Sequence, residues 1–224
     1  PSREIGDGGP ATLAALAKPT SLATDRSGGI YVGDENGRRV RKVGVDGNIS
    51  TFAGNGGAGS SASPLTLPAP ATSFAIEIAD LTVDSSGNVL IADGSETRAA
   101  PVRRGAILKV TPDGTAHYFT DFQNPLRIFD GSGRIVVDSN DEVFVLRPRG
   151  GVVERIAPDG RSSAPVPFSG NFLRAGMSTF TFDKAGNLYV AGKGSPIRKI
   201  SPAGEVSTVL GGSSPNFHHG DGPA

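Results

Sequence analysis

The sequence predicts an all-β fold, a β-propeller of four-stranded antiparallel blades, and a repeated motif leads to this prediction. The motif is an Asp-x-x-Gly turn followed by a short β-branched or aromatic run, and its third copy has Asp in place of Gly. The four copies begin at Asp25, Asp84, Asp138 and Asp183. Each is followed by a mixed basic and apolar run before a second turn. Repetition at roughly 45 to 60 residues, with several short strands per unit, is typical of propeller blades.

The first repeat predicts four strands separated by turn residues. We expect these strands at residues 19–24, 30–32, 39–43 and 49–52. The run Ile30-Tyr31-Val32 is apolar throughout, as expected of a strand buried on both faces. The residues from Arg39 to Val43 alternate with period two, which is typical of a half-exposed strand. Asp46-Gly47 predicts a hairpin turn in which glycine supplies a positive φ.

The remaining repeats follow the same plan and predict one propeller domain over residues 1–224. We expect blades at about residues 11–54, 74–120, 126–170 and 175–211. The segment from Gly54 to Ser73 is rich in Gly, Ala, Ser and Pro, and we expect it to lack regular structure. The 32 Gly and 17 Pro residues fall mostly between apolar runs, where they mark turns.

Composition excludes several classes of function. Lys and Arg number 22, as do Asp and Glu, so no net charge favours nucleic acid or an anionic membrane. The chain has no cysteine, which excludes disulfides, thiol nucleophiles and Cys-based zinc sites. Its apolar runs are too short for a transmembrane helix. We expect a secreted or periplasmic protein, although the absence of cysteine fits a cytosolic one equally well.

The blade motif resembles the NHL-repeat family of β-propellers. The resemblance rests on Tyr31-Val32-Gly33-Asp34, on the run Arg39 to Val43 and on Asp46-Gly47. The segment Gly6-Asp7-Gly8-Gly9-Pro10-Ala11 is similar to the interblade segment of bacterial members. The family hosts binding platforms, scaffolds and a few enzymes, so the resemblance indicates fold more than function. It also implies an Asp34–Arg39 pair, whose two partners occur together in the first repeat alone.

The number of repeats raises the question of how the ring closes. The interblade motif returns as Gly220-Asp221-Gly222-Pro223-Ala224, after four blades. Family members usually close with six blades. We therefore expect either part of a larger ring, completed by further sequence or by a second chain, or an unusual four-bladed ring. An open arc would expose apolar blade faces and favour self-association.

The repeated Asp residues are better explained by structure than by chemistry. Copies of one residue lie around a circle and do not converge on a metal. An Asp before a turn accepts hydrogen bonds from the backbone that follows it. We therefore expect no calcium array at Asp25, Asp84, Asp138 or Asp183.

A metal or acid–base site requires residues that break the repeat and reach the central channel. Glu77 and Asp80 are weak candidates, with Arg127 nearby in the pattern. Similarity to propeller lactonases implies a central Ca²⁺ or other divalent cation, to which Asn124 or Asn171 could add an oxygen ligand. No spacing requires this site, so we expect no cofactor.

Other catalytic motifs are missing from the sequence. His117 falls in a predicted outer strand, where a structural role is the simpler interpretation, and His218-His219 falls in the terminal segment. No G-x-S-x-G nucleophile motif, phosphate-binding loop or dinucleotide fingerprint occurs. The sequence thus favours a protein that is not an enzyme.

The loops between the second and third strands of each blade differ most among the repeats. Together with the interblade segments they form one face of the propeller, and variable loops on a rigid scaffold commonly bind partners. The basic residues of these loops outnumber the acidic Glu35 and Glu96. They are Arg38, Arg98, Arg103, Arg104, Arg147, Arg149 and Lys193. They are either solvated loop charges or a surface for carboxylate, phosphate or sugar groups.

Three functions follow from this sequence. The leading one is a binding or scaffold module that engages a protein or an anionic polymer through the variable face. The second is a lactonase-like hydrolase or lyase with a divalent metal in the channel. The third is RNA binding, which the scarcity of aromatic residues (three Tyr and no Trp) makes the weakest.

Overall fold

The computed structural model describes residues 5–57, 66–94, 106–119, 133–147, 152–157, 162–165, 177–192 and 195–211. Within these ranges the chain forms seventeen β-strands and a single short 3-10 turn at Ala11–Leu13. The strands build four antiparallel sheets in chain order, which confirms the all-β propeller class. No helix in the described ranges is long and apolar enough to cross a membrane.

Blade one has the strand order that its turn residues predict. Its strands pair consecutively, and Gly28 (φ 93°) and Gly47 (φ 79°) supply the positive φ that the two tight turns require. The strands are β1 (Pro19–Thr24), β2 (Ile30–Asp34), β3 (Arg39–Val43) and β4 (Ile49–Ala53).

Blade two contains an additional strand that composition did not predict. Its strands are β5 (Ala69–Pro70), β6 (Ile78–Val83), β7 (Val89–Asp93), β8 (Ala106–Val110) and β9 (Thr115–Tyr118). The short strand β5 pairs with β9 at the outer edge of the sheet. The prediction that Gly54 to Ser73 lacks regular structure is therefore wrong for β5, because edge pairing with β9 orders this Pro-rich stretch.

Blades three and four repeat the four-stranded plan. Blade three consists of β10 (Arg134–Val137), β11 (Val143–Arg147), β12 (Val152–Ile156) and β13 (Ser162–Pro165). Blade four consists of β14 (Met177–Phe182), β15 (Leu188–Gly192), β16 (Ser195–Ile200) and β17 (Val206–Leu210). The innermost strands lie side by side in the order β1, β6, β10, β14.

The apolar core lies between the blades and not within them. Successive residues of a strand point to opposite faces of the sheet, so each blade has a leading face toward the preceding blade and a trailing face toward the next. Tyr31 and Phe52 on the trailing face of blade one pack with Ile91 and Leu108 on the leading face of blade two. Two further clusters join blades two and three and blades three and four in the same way.

The segment before blade one is tied to the outer edge of that blade. Gly8 N–H donates to the Ile49 carbonyl at 2.8 Å, and Ile49 N–H donates to the Gly9 carbonyl at 2.9 Å. The carboxylate of Asp7 binds the guanidinium of Arg41 at 2.5 Å and the Thr51 hydroxyl at 2.7 Å. Arg41 is only 1% exposed. The segment thus supplies the anion that a buried arginine requires.

Blade two makes the same connection with apolar side chains. Ala71 N–H donates to the Gly114 carbonyl at 2.8 Å, as Ala11 N–H does to Gly47 at 2.9 Å. The strand register then places Leu108 and Tyr118 where blade one has Arg41 and Thr51. Both pack in the cluster that also receives Leu67 from the preceding segment. One joint between segment and blade is therefore ionic, and the other is hydrophobic.

The repeated Asp residues close the turns between the first and second strands. In the second blade, Asp84 accepts hydrogen bonds from Ser86 N–H and Asn88 N–H, both at 2.9 Å. Asp25, Asp138 and Asp183 accept the corresponding pairs of backbone N–H groups. The hydrogen bonds that the sequence predicts for these Asp residues are confirmed.

Candidate functional site

The loop between β2 and β3 is shaped by the carboxylate of Asp34. This group is 3% exposed and accepts backbone hydrogen bonds from Ala17 at 2.9 Å, Lys18 at 2.7 Å and Gly37 at 3.1 Å. A carboxylate in this position fixes both the chain entering blade one and the loop after β2. Arg38 then takes a left-handed backbone conformation with φ 51°, which is uncommon outside glycine.

The expected Asp34–Arg39 pair is not formed. The two residues are opposite each other in the register of β2 and β3. Three backbone N–H groups already occupy Asp34, and the Arg39 guanidinium donates instead to the carbonyls of Gly37 at 3.0 Å and Asn55 at 2.9 Å. The prediction is therefore wrong: backbone N–H groups occupy the Asp34 carboxylate, and backbone carbonyls occupy the Arg39 guanidinium.

Blade two contributes a matching feature beside this loop. Asp93 occupies the position of Asp34 and accepts a hydrogen bond from Glu77 N–H at 3.1 Å. Gly94 N–H in turn donates to the Glu77 carbonyl at 2.7 Å. These two bonds hold Glu77 at the entry to β6, next to the β2–β3 loop of blade one.

An open depression of about 270 Å³ lies between these two loops. This volume is slightly below the usual range for small-molecule pockets and suits one or two side chains of a partner. It lies on the loop face, which we define as the end of the propeller at which β2, β7, β11 and β15 end. The lining residues are Glu35, Asn36, Arg38, Glu77, Ile78, Ala79 and Gly94.

The depression carries charges of both signs. Arg38 donates from Nη1 to the Gly57 carbonyl at 3.2 Å, which steadies its guanidinium at the rim. Glu35 forms an exposed ion pair with Lys18 at 2.9 Å, and such pairs contribute little to stability. Glu77 adds a second carboxylate to the lining. The site can therefore bind a group that offers both an acceptor and a donor or cation.

Asp80, predicted as a weak metal candidate with Glu77, serves another purpose. Its carboxylate accepts a hydrogen bond from Ile135 N–H at 3.0 Å and lies 3.5 Å from the Arg134 guanidinium. Burial raises the pKa of Asp80 above its ordinary value of 3.8, and the contacts with Ile135 and Arg134 offset part of that effect. Asp80 thus joins the innermost strands of blades two and three.

The structure does not assemble the predicted metal set within its described part. Glu77 lines the loop-face depression, whereas Asp80 is bound to blade three. No group of three or more His, Asp or Glu side chains that could hold a metal occurs among the described residues. Asn124, Asn171 and Arg127 lie outside those residues.

Of the predicted basic surface, Arg38 is the member whose side chain the structure describes. Arg147 ends β11, and only its backbone is described. The remaining members lie outside the described residues: Arg98, Arg103, Arg104, Arg149 and Lys193. His117 lies in β9 opposite Lys109, and His218 and His219 also fall outside. The structure therefore brings Arg38 together with Glu77, a pairing that the sequence did not predict.

Comparison with known proteins supports the repeat family. The model of the teneurin NHL domain matches residues 1–81, which include the segment before blade one and all of its strands. No curated protein matches the sequence.

Solved structures of similar fold are propellers of low sequence identity. A catalytically inactive virginiamycin B lyase from Staphylococcus aureus, determined with quinupristin, has a TM-score of 0.57 at 16% identity, covering 91% of this chain and 59% of that one. A putative gluconolactonase has a TM-score of 0.59 at 14% identity, covering 86% and 63%. A Bacteroides thetaiotaomicron protein of unknown function has a TM-score of 0.57 at 12% identity, covering 91% and 46%.

These likenesses establish the fold alone, because all three identities are low. This chain also spans only about three fifths of the length of the lyase. They confirm the architecture that the blade motif predicts: the chain is a β-propeller, and its residues 1–81 are similar to the teneurin NHL domain.

Proposed function

We propose that this propeller is a binding module that holds a protein partner through its loop face. The observation that supports this most is the depression in which Arg38 and Glu77 meet at the junction of blades one and two. It is built by loops that differ among the blades, on strands that are shared by all of them. Rigid scaffolds with variable loops are a common basis for recognition.

The mixture of charges favours a protein partner over an anionic polymer. A polyanion placed at Arg38 would also meet the carboxylates of Glu35 and Glu77, and like charges repel. A peptide segment carries side chains of both signs together with backbone donors and acceptors. The depression accommodates one or two such side chains, so we propose an exposed loop or terminus of a partner as the ligand.

The conformation of Arg38 adds to this proposal. Its left-handed backbone (φ 51°) costs free energy that neighbouring contacts must offset. The bond from its Nη1 to Gly57 then fixes the guanidinium beside the depression. A preorganised arginine loses less freedom on binding and is well suited to a carboxylate or a backbone carbonyl of the partner.

The basic loop residues predicted from sequence would extend the same surface. The sequence pattern predicts Arg103, Arg104, Arg147 and Arg149 in loops at the same end of the propeller as Arg38. We propose that they contact acidic parts of the partner around the central depression, and that the protein acts outside the cell or in the periplasm.

Selection of peptides on the immobilised protein tests this function. Peptides enriched from a phage-displayed random library should bind the wild type, and Arg38→Glu or Glu77→Lys should weaken them at least about tenfold, because each change reverses a charge at the contact. Lys184→Glu is the matched control, since Lys184 is an exposed residue of a turn at the opposite end of blade four. Equal binding to all four proteins would refute the proposal, and retention on heparin that is lost in Arg38→Glu would support the polymer instead.

A further inference from the structure

The three charged side chains that line the depression between blades one and two differ in what they contact. Glu35 pairs with the ammonium group of Lys18 at 2.9 Å. Arg38 donates to the carbonyl of Gly57 at 3.2 Å. The carboxylate of Glu77 is half-buried and has no hydrogen bond or ion pair within the described ranges. The lining therefore contains one carboxylate that lacks a cation.

Arg38 and Glu77 line the same depression without pairing with each other. No salt bridge or hydrogen bond between their side chains occurs in the described part of the chain. The bond to Gly57 holds the guanidinium from one side. The contacts of the Glu77 backbone with Asp93 at 3.1 Å and Gly94 at 2.7 Å hold the other side. The space between the two charged groups is thus open to a ligand.

The lining of the depression is negative on balance. Glu35 and Glu77 contribute two carboxylates, and Arg38 contributes one guanidinium. The carboxylate of Asp34, next to Glu35 in the chain, is 3% exposed and accepts backbone N–H groups instead of pairing with a cation. Charges in a cleft that water only partly fills act more strongly than charges on an open surface. A cationic group is therefore favoured at Glu77.

The uncharged part of the lining suits the stem of a long side chain. Ile78 and Ala79, at the start of β6, contribute apolar surface beside Glu77. Lysine and arginine carry a charged head on an apolar stem, and they pack the stem on such surfaces while the head finds a polar partner. The depression of about 270 Å³ accommodates one such side chain.

We propose that the depression recognises a lysine or arginine of the partner, whose cation binds Glu77 and whose backbone carbonyl accepts from Arg38. Arg38 has guanidinium donors beyond the one used by Gly57. An acidic side chain of the partner would meet the carboxylates of Glu35 and Glu77, and an apolar one would desolvate Glu77 without pairing it. This inference rests on the binding function proposed above and specifies the residue that is bound.

Selection from two phage-displayed libraries separates this inference from the function on which it rests. One library is complete, and the other is made without Lys and Arg codons. The complete library should enrich peptides that carry Lys or Arg and bind Arg38→Glu at least about tenfold more weakly, and the restricted library should yield none. Peptides from the restricted library that bind equally well and depend on Arg38 would overturn the inference and leave the binding function in place. A complete library without any Arg38-dependent peptide would overturn both.

A double-mutant cycle then tests the contact with Glu77. Replacing the basic residue of a selected peptide with glutamine should lower its affinity for the wild type at least about tenfold, because a charged hydrogen bond is lost. The same replacement should have little effect on affinity for Glu77→Gln. Glu205→Gln is the matched control, since Glu205 is exposed in a turn at the opposite end of blade four, and it should respond as the wild type does. Equal losses in the wild type and in Glu77→Gln would overturn the inference.

Discussion

Ser21 shows how closely blades one and two approach each other. Its hydroxyl is buried, 7% of the residue is exposed, and it has no hydrogen-bond partner among the described residues. The hydroxyl lies against Gly33, where a Cβ atom would contact both it and Ile78, the latter at 3.0 Å. A side chain at position 33 therefore has no room, and the glycine is required by packing.

Replacing Ser21 by alanine should stabilise the protein. The change removes an unsatisfied buried polar group, and we expect the free energy of unfolding to rise by about 1 kcal/mol. Gly33→Ala should destabilise the wild type, and less so when Ser21 is also alanine. Urea unfolding of the four proteins in a double-mutant cycle measures both effects, and a lower midpoint for Ser21→Ala would contradict this view of the contact.

Asp80 should give the protein a distinctive dependence on pH. Its pKa is raised in the folded state, so the folded protein binds this proton more tightly than the unfolded chain. The resulting stabilisation is greatest below the ordinary pKa of 3.8 and is lost as pH rises through the folded value.

Asp80→Asn cannot titrate and can still accept the hydrogen bond from Ile135. Relative to wild type, this variant should therefore gain stability as pH rises from about 4 to 7. Urea unfolding across that range provides the measurement. A difference between the two proteins that does not change with pH would show that burial does not perturb this carboxyl group.

Among the elements, the Asp turn is the unit that defines each blade. Asp84 accepts hydrogen bonds from two backbone N–H groups and from the side chain of Asn88 at 2.7 Å. Asp84→Ala should lower the free energy of unfolding by about 1 to 2 kcal/mol, because these donors lose their acceptor. Thermal unfolding in the presence and absence of calcium provides the check, and a calcium-dependent loss would revive the metal array that the turn geometry disfavours.

The segments that precede blades one and two contact their blades in two ways, through the ionic joint at Asp7 and Arg41 and through the hydrophobic joint at Leu67 and Leu108. Asp7→Ala leaves the buried Arg41 without its anion, and we expect a cost of about 2 to 3 kcal/mol. The triple replacement Asp7→Leu, Arg41→Leu and Thr51→Tyr copies the blade-two joint and should restore most of that stability. The denaturant midpoints of the wild type and both variants measure these effects. A triple variant that is less stable than Asp7→Ala would mean that the two joints are not equivalent.

The sequence allowed the strands to be predicted where turn chemistry is local. Asp-x-x-Gly and Asp-Gly turns determine their own geometry, and blade one therefore agrees with the prediction at nearly every strand. Partners distant in sequence were not predictable. The Asp7–Arg41 contact joins residues 34 apart. The G-D-G-G-P-A motif and the buried arginine are visible in the sequence, but no rule of spacing relates them.

The candidate site was predictable only in part. Arg38 was predicted to lie on this face from the sequence, because it falls in a loop between a second and a third strand. Such loops all lie at one end of the blade, since connections between antiparallel strands alternate between the two ends. Glu77 was predicted as a channel residue and lies instead in the depression beside Arg38, since Asp93 and Gly94 hold its backbone at the loop face. That position depends on contacts between blades, which a single repeat does not reveal.

At the scale of the whole molecule, every junction between neighbouring blades uses the same two faces of the sheet. Each internal junction buries a leading residue such as Leu81 against a trailing cluster such as that of Tyr31 and Phe52. The two terminal faces keep this chemistry exposed at Leu22 and Val209. We infer that the repeat determines how neighbouring blades join, whereas the loop face at the junction of blades one and two determines the partner.

Peptide binding by the Arg38→Glu variant tests this view most directly, because Arg38 lines the depression between blades one and two. We predict that affinity for the selected peptides falls at least about tenfold, whereas Lys184→Glu leaves it unchanged. Peptide binding by Arg38→Glu that equals binding by the wild type would contradict it.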